Sequence, residues 1–290
     1  MFEMFRKPLY INVKGRLIDF DRPRVMGVIN VTPDSFYADS RKMNPAHILN
    51  SVGEMLKSGA DFIDVGGFSS RPGAAEIPPD EERKRVLPAV RLISENFPEA
   101  IISVDTFRSE IAGEAVASCG AHIINDISGG ELDPQMFSVV RELNVPYILM
   151  HMQGTPSTMQ NNPVYDDVVA DILMWMGVRI NALRTAGIKD IIIDPGFGFG
   201  KTAEHNFEIL RRLEEFSITG LPLMVGLSRK SMIWKTLGFS PAEALNGTTV
   251  LNTVALLKGA DILRVHDVRE AVEACRLVSR VNNRPRKEYF

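Results

Sequence analysis

The chain has 290 residues, a formal net charge of −3 and a sequence pI near 6.0. A chain of this length buries about three quarters of its unfolded surface, so its core needs no disulfide or metal. The charge argues against a general nucleic-acid-binding surface. The two cysteines have no paired spacing, so we expect no disulfide framework. This cysteine usage fits a reducing compartment.

The first elements in chain order predict a β-hairpin. LYINV and RLIDF are short alternating runs on either side of a Lys-Gly turn, within residues 1–23. We expect this hairpin to cover the bottom of the domain that follows. The same stretch carries charges throughout and has no long apolar run, so we interpret it as neither a signal peptide nor a membrane anchor.

Eight short apolar runs then alternate with eight helical patterns. The runs are RVMGVINV, FIDVGG, IISVDT, HIINDIS, PYILMHM, DIIIDP, PLMVGLSRK and DILRVH. The helical patterns cover about 45–58, 81–97, 109–119, 134–143, 165–186, 204–216, 241–258 and 268–281, and glycines suited to left-handed caps are Gly59, Gly120, Gly187 and Gly259. We predict an α/β fold, a (β/α)8 TIM barrel over 24–281 after the N-terminal hairpin, in one domain spanning 1–290.

Polar residues follow almost every apolar run. They are Asn30, Asp64, Asp105, Asn125, His151, Asp194, Lys230, Arg264 and His266. Because a TIM barrel carries its active site at the C-terminal strand ends, we expect these side chains to converge on one pocket. A buried carboxylate must meet a cation, a metal or ligand donors. The alternative for the aspartates is a structural ion pair inside the barrel, above all for Asp64.

The segment PGFGFGKT at 195–202 is similar to a phosphate-binding loop but fails its spacing. Pro195 stands five positions before the Gly-Lys pair, where that motif needs glycine, and the third glycine comes one residue too early for G-x-G-x-x-G. The glycines would still let the backbone approach a flat ligand closely. A tight strand-to-helix turn is the alternative.

Cationic residues follow strands seven and eight of the predicted barrel, where TIM barrels recurrently bind phosphate. Lys230 lies in LSRKS, Arg264 and His266 lie in RVHD, and Arg71 in the second long loop is expected to reach the same mouth. Together they predict a site for a highly charged anion, although a surface charge is the alternative for each alone. A tightly held zinc ion is not expected, because the chain has neither H-E-x-x-H nor a Cys/His cluster.

Eight ordered segments resemble the dihydropteroate synthases of the folate pathway. They are MGVINVTPDSF (26–36), DVGGFSSRPG (64–73), SVDT (103–106), NDISGG (125–130), LMHMQGTP (149–156), DPGFGFGKT (194–202), GLSRKS (226–231) and LRVHDV (263–268). The resemblance covers almost the whole chain. It implies a transferase that condenses 6-hydroxymethyl-7,8-dihydropterin pyrophosphate with p-aminobenzoate, releasing 7,8-dihydropteroate and pyrophosphate with the help of Mg²⁺. It also implies a cytoplasmic homodimer and a sulfonamide target, with no nucleic-acid or membrane partner.

The resemblance also implies three subsites. The pterin subsite would consist of Asp105, Asn125, Asp194 and Lys230, with Met150 and Phe199 beside the ring. The pyrophosphate subsite would consist of Asn30, Arg71, Arg264 and His266, with Asn30 near the Mg²⁺. The p-aminobenzoate surface would consist of Ser70, Pro72, Lys230 and Ser231. Segments 32–36 and 69–72 would be the two loops that close over the reaction, and Lys230, Arg71 and Asp105 would be the catalytic residues.

Two departures from the family pattern and three other functions remain open. After TPDSF, loop one continues as YADSR where SDGG is common in the family. Phe68 stands where glutamate is common. The alternatives are a pterin-binding methyltransferase-type barrel, a Schiff-base aldolase whose Lys230 would be activated by Arg229, and a non-catalytic paralogue. Measuring pyrophosphate release distinguishes the expected reaction from all three.

Overall fold

The computed structural model describes residues 9–31, 44–68, 77–159 and 161–281. Its first element is the predicted hairpin, in which β1 (Tyr10–Val13) and β2 (Arg16–Asp19) pair antiparallel. Lys14 and Gly15 between them have φ angles of 48° and 86°, so both central residues have the positive φ of a type I′ turn. The hairpin prediction is confirmed.

The eight apolar runs form one parallel sheet that closes on itself. Its strands are β3 (Arg24–Asn30), β4 (Phe62–Gly66), β5 (Ile101–Asp105), β6 (Ile123–Asp126), β7 (Tyr147–Met150), β8 (Ile191–Asp194), β9 (Met224–Val225) and β10 (Ile262–Val265). The order is β8-β7-β6-β5-β4-β3-β10-β9. A parallel bridge between Ile193 and Leu223 joins β8 to the residue before β9. The predicted TIM barrel is confirmed.

Helices connect successive strands on the outside of the barrel. They are α1 (Pro45–Lys57), α2 (Pro79–Asn96), α3 (Ser109–Cys119), α4 (Met136–Leu143), α5 (Val168–Thr185), α6 (Ala203–Arg211), α7 (Ser231–Leu237), α8 (Leu245–Leu257) and α9 (Val268–Val281). The four predicted glycine caps are confirmed, with φ angles between 91° and 100°. No helix in these described ranges has the length and apolarity to cross a bilayer.

Two of the predicted helices have different ends in the structure. The one expected over 204–216 stops at Arg211 and continues as a 3-10 helix, Leu213–Thr219. The one expected over 241–258 begins with a separate 3-10 turn, Pro241–Glu243, before α8. The short α7 was not predicted as a separate range, and it ends at Gly238 in the left-handed conformation.

The hairpin covers the bottom of the barrel, as predicted. Its apolar side chains form one cluster with an inward-facing residue from every barrel strand: Ile11, Val13, Ile18, Phe20, Met26, Phe62, Ile101, Ile123, Ile148, Ile192, Met224 and Ile262. This plug closes one end with apolar packing, so polar side chains are placed at the other end.

The register of the sheet brings the polar strand ends side by side. Asn30 lies opposite Gly66, Gly66 opposite Asp105, and Asp105 opposite Asn125. Met150 of β7 lies opposite Asp194 of the adjacent strand β8. Because side chains alternate along a strand, residues two or four positions after the bottom cluster also point into the barrel. The C-terminal rim therefore collects polar side chains from several neighbouring strands.

Candidate active site

An ion pair of three residues crosses the mouth of the barrel. Arg264 Nε lies 2.7 Å from Asp64 Oδ2, and Arg264 Nη2 lies 2.6 Å from the same oxygen. Nη2 also lies 2.7 Å from Asp105 Oδ2. Asp64 is completely buried, so a cation partner is needed to keep its charged form. The structural ion pair considered for Asp64 is present, and it also includes Asp105.

One guanidinium thus serves two carboxylates. Burial raises the pKa of Asp105 to about 7, against the attraction of Arg264, and the neighbouring Asp64 raises it further. Asp64 also accepts a hydrogen bond of 3.1 Å from Asn125 Nδ2. Among the described residues, Asn125 Oδ1 is buried without a hydrogen-bond partner. The rim therefore offers an acceptor that no protein donor uses.

The pKa of Asp105 predicts how stability depends on pH. A carboxyl whose folded pKa lies above its unfolded value of 3.8 binds its proton more tightly in the folded state. Its contribution to the free energy of unfolding is fully present below pH about 4 and is lost as the pH rises through about 7. We expect Asp105→Asn to flatten this part of the pH dependence. Urea unfolding at a series of pH values from about 4 to about 8, which covers the interval between the two pKa values, measures this dependence. An equally steep dependence in the variant would contradict the assignment to Asp105.

Asp194 ends β8 on the opposite side of the mouth. Its Oδ1 accepts a hydrogen bond of 2.7 Å from the Gly196 amide, and the residue is 4% exposed. Burial raises its pKa, while the Gly196 amide and the charges of Lys230, Arg264 and Lys201 lower it. Its Oδ2 receives no hydrogen bond from the part of the chain that is described. Asp194 is thus a carboxylate with one oxygen fixed and one open to a ligand.

Lys230, the residue that precedes α7, carries a cation near Asp194. Its Nζ donates a hydrogen bond to the carbonyl of Phe197 and lies 4.5 Å from the centroid of the Phe199 ring. Burial lowers the pKa of Lys230 to about 8, with a further contribution from Arg264, while Asp194 raises it. The lysine is therefore held between the glycine loop, an aromatic face and a carboxylate.

Arg229, the residue before Lys230, adopts a left-handed backbone conformation. Its φ is 55°, a left-handed value that is uncommon for a non-glycine residue. Its guanidinium turns away from the barrel mouth and binds both carboxylate oxygens of Asp267, at 2.9 and 2.8 Å. The cation that acts on the Lys230 pKa is therefore Arg264, so the structure gives no support to the aldolase alternative in which Arg229 would activate the lysine.

Apolar side chains line the space between β6, β7 and β8. A small buried cluster there contains Ile127, Met150, Met152 and Met159, with Phe107 and Phe199 packed against it. Met150 and Phe199, the two predicted ring contacts, thus belong to the same cluster. Asp194 and Lys230 provide polar groups beside this cluster. We call the apolar cluster with its polar edge the slot; apolar side chains beside a few placed polar groups suit a site for a planar heterocycle.

The glycine loop after β8 passes unusually close to the loop after β7. A Cβ on Gly196 would lie 1.9 Å from the His151 carbonyl oxygen, and one on Gly200 would lie 2.5 Å from that of Gln153. Both glycines also have positive φ, 72° and 62°. The glycines therefore serve to pack two backbones together beside the slot, rather than to form a phosphate loop.

The remaining predicted residues are only partly described. His266 is exposed and its Nδ1 lies 3.1 Å from Ser228 Oγ, Ser231 opens α7 on the surface, and Asn30 ends β3. The predictions for Ser70, Arg71, Pro72 and loop segment 32–36 concern positions outside the described residues. The structure therefore brings together the predicted pterin residues and Arg264.

Two buried charged groups were not predicted from the sequence. Lys201 binds the loop after β7, and Glu82 of α2 forms an ion pair with Arg108 and accepts a hydrogen bond of 2.5 Å from Thr106 Oγ1. Apart from the Phe199 carbonyl, which Lys201 also binds, their partners lie 24 to 50 positions away along the chain. The one available signal for Lys201 was its place in the loop after β8, and Glu82 lies within α2.

Phe68, at the family's glutamate position, packs against the end of the next barrel loop. Its ring meets the Phe107 ring edge-on, with centroids 5.7 Å apart. The guanidinium carbon of Arg108 also contacts the Phe107 ring, 4.9 Å from its centroid. Arg108 also donates a hydrogen bond of 2.8 Å to the carbonyl of Ile77. An apolar contact thus occupies the position where a charged side chain is common.

The described residues do not form a ready-made metal centre. No group of three or more His, Cys, Asp or Glu residues converges within the described ranges. Asp64 and Asp105 already share Arg264 as their cation. Mg²⁺ usually keeps several waters and binds with one or two protein oxygens plus substrate phosphates, so the amide oxygen of Asn30 fits a shared ligand of that kind. The chain is suited to a metal that arrives with a phosphorylated substrate.

Comparison with known proteins decides the family. The model of the family described as "Pterin binding enzyme" matches residues 26–266. Dihydropteroate synthase of Escherichia coli strain K12 is 46% identical over 267 residues, which cover 91% of this chain and 94% of that relative. The chain belongs to the dihydropteroate synthase family of pterin-binding enzymes.

Solved structures of dihydropteroate synthases have the same architecture. The Yersinia pestis enzyme in a sulfonamide drug complex superimposes with a TM-score of 0.89 at 40% identity, over 95% of this chain and 100% of that one. The Xanthomonas albilineans enzyme with 4-aminobenzoic acid gives a TM-score of 0.88 at 37% identity, over 96% and 100%. The barrel described above is therefore the dihydropteroate synthase fold.

Proposed function

We propose that the chain condenses 6-hydroxymethyl-7,8-dihydropterin pyrophosphate with p-aminobenzoate, giving 7,8-dihydropteroate and pyrophosphate. The observation that carries this proposal is the slot beside Met150 and Phe199, edged by Asp194 and Lys230, in a chain of the dihydropteroate synthase family. The family makes the chain a transferase of folate biosynthesis and a sulfonamide target.

In this proposal the polar edge of the pterin pairs with acceptors of the rim. The pterin has a guanidine-like edge, and the open Oδ2 of Asp194 is suited to accept from it. Asn125 Oδ1, buried without a partner among the described residues, supplies a second acceptor. Asp105 contributes a third group, and the second carboxyl, at the same rim. Lys230 covers the ring and faces the place where the second substrate enters.

The reaction exchanges one bond for another at the exocyclic carbon of the pterin. The nitrogen of p-aminobenzoate forms a bond to that carbon, the carbon–oxygen bond to pyrophosphate breaks, and the amine loses one proton to solvent. Because the nucleophile is a neutral aniline, no covalent enzyme intermediate is needed. Stabilising negative charge on the leaving oxygens is therefore the main catalytic task.

We assign that task to Arg264, His266 and Arg71. Nη1 is the one guanidinium nitrogen of Arg264 without a hydrogen bond to the described residues, so it is available for the pyrophosphate. Asn30 would hold Mg²⁺, which neutralises phosphate charge when bound. Ser70, Pro72 and Ser231, with Lys230, would form the surface for p-aminobenzoate.

The decisive experiment measures pyrophosphate release from the pterin pyrophosphate with and without p-aminobenzoate. Release that depends on p-aminobenzoate and yields dihydropteroate supports the proposal. A pterin-binding methyltransferase-type barrel or a non-catalytic paralogue would bind the pterin and release no pyrophosphate.

Asp194→Asn is expected to weaken pterin binding by about 10- to 100-fold while leaving the fold intact, because hydrogen bonds to a charged group contribute about 1.5–3 kcal/mol. The amide oxygen can still accept from Gly196, but the amide NH₂ would then face the donors of the pterin. Calorimetry with a pterin that lacks the pyrophosphate measures this directly. Unchanged affinity would restrict Asp194 to a structural role.

We also propose one cytoplasmic domain that forms a homodimer. The two described cysteines, Cys119 and Cys275, are free and buried, which fits a reducing compartment. The outer faces of α8 and α9 carry four large apolar side chains that are at least half exposed: Val250, Leu257, Leu277 and Val281. Such side chains support a contact between copies. Analytical ultracentrifugation tests the assembly.

A further inference from the structure

Lys201 is a buried lysine that the proposed chemistry does not use. It follows the glycine loop and is 3% exposed. Its Nζ lies 2.9 Å from the Phe199 carbonyl oxygen, 3.3 Å from the His151 carbonyl oxygen and 3.0 Å from His151 Nδ1. Three acceptors thus surround a group that, as an ammonium, has three N–H donors.

The state of His151 supports the ammonium form of Lys201. Burial lowers the pKa of His151 to about 2, and Lys201 lowers it further, so the ring is neutral and its Nδ1 can accept. The ring is fixed edge-on against Trp175, with centroids 5.0 Å apart. Burial and Lys230 lower the pKa of Lys201 and Asp194 raises it. The two carbonyl oxygens accept from Lys201, and His151 Nδ1 accepts in the tautomer that carries its proton on Nε2. With that tautomer the geometry favours the protonated lysine.

The two carbonyls held by Lys201 belong to the two walls of the slot. On the β7 side, His151 directly follows Met150 of the cluster, and on the glycine-loop side Phe199 packs against that cluster. The same two loops pack backbone to backbone at Gly196 and Gly200. Lys201 is therefore a polar link across the junction from which both walls extend.

We propose that Lys201 is a positioning residue for the pterin subsite, because its side chain ties the His151 and Phe199 carbonyls together and so sets the spacing between Met150 and Phe199. The inference rests on the proposed function, since it takes the slot to be the pterin site. Lys201 also presents a third positive charge to Asp194, besides Lys230 and Arg264. Both effects act on the pterin and neither acts on pyrophosphate.

The test compares Lys201→Met with the control Lys258→Met, which removes a lysine from a surface pair with Glu214. Calorimetry gives the affinity for a pterin without pyrophosphate and, separately, for pyrophosphate with Mg²⁺. We expect Lys201→Met to weaken pterin binding by about 10- to 100-fold, as for other charged hydrogen bonds, and to leave pyrophosphate binding unchanged. The control should resemble the wild type for both ligands.

The pH profile of pterin binding gives a second reading. Asp194 faces the cations Lys230, Arg264 and Lys201, and each favours its ionised form. Removing one of them should shift the acidic limit of pterin binding to higher pH. A residue that only supports the fold would lower both ligand affinities together and leave this limit in place.

Three outcomes would overturn the proposal or its basis. A folded Lys201→Met protein with wild-type pterin affinity, or with equal losses for both ligands, overturns the positioning role. If that variant does not fold, Lys201→Gln, which keeps two N–H donors, is measured in the same way, and wild-type pterin affinity and pH profile in it overturn the proposal. If Lys201→Met weakens pterin binding relative to the wild type, but the wild type forms no dihydropteroate, the proposed reaction alone is overturned.

Discussion

Lys230→Met is expected to remove most of the turnover. The substitution keeps the length of the side chain but removes the hydrogen bond to Phe197 and the charge over the Phe199 ring. Loss of a charged hydrogen bond costs about 1.5–3 kcal/mol, which corresponds to a decrease in kcat/KM of roughly 10- to 150-fold. The loss should be larger if Lys230 contacts both substrates, as proposed.

Steady-state kinetics with each substrate varied in turn measures the effect. Lys235→Met, on the exposed side of α7, is the matched control and should leave kcat/KM unchanged. A folded Lys230→Met protein with wild-type kcat/KM would remove Lys230 from the site.

Arg264→Met is expected to lower the free energy of unfolding as well as the activity. It would leave Asp64 and Asp105 as two neighbouring carboxylates without their cation, and Asp64 is completely buried. Breaking a buried ion pair by removing one partner costs about 3–5 kcal/mol, and the lower end applies here because the Arg264 side chain is 23% exposed.

Urea unfolding at pH 7 measures this loss, and a second substitution identifies its cause. Adding Asp64→Asn to Arg264→Met should recover part of the stability without recovering the activity, because a neutral amide needs no cation. Arg269→Met, which breaks an exposed pair with Glu273 on α9, should change the free energy of unfolding by less than about 1 kcal/mol. Equal losses in Arg264→Met and Arg269→Met would contradict the importance of the central ion pair.

The sequence predicts the barrel because its signals are local. Each barrel strand is a short apolar run, most helices end at a glycine that adopts positive φ, and the Lys14-Gly15 turn determines the hairpin. The short α7 received no range of its own, because the predicted helical pattern began only at Pro241. Periodicity thus identifies the layers but overlooks a helix of only seven residues.

The partners of the site residues are less predictable because they are distant along the chain. Arg264 was placed at the barrel mouth by its position after a strand, but its contact with Asp64 joins residues 200 positions apart. Lys201 lies in a segment whose spacing already excluded a phosphate loop, but nothing in the sequence indicated its partners, a histidine side chain and two backbone carbonyls. Strand-end position predicts which residues meet, and only the packed backbone determines what they bind.

The contact between the glycine loop and the loop after β7 has a consequence for resistance to inhibitors. At Gly196 and Gly200 any side chain would collide with a main-chain carbonyl oxygen, at 1.9 and 2.5 Å. No point mutation at these two positions can therefore add a protruding group that blocks a bound compound without first forcing the loops apart. An inhibitor that contacts this backbone would therefore select few resistance substitutions at the two glycines. Resistant variants should carry their substitutions at other positions.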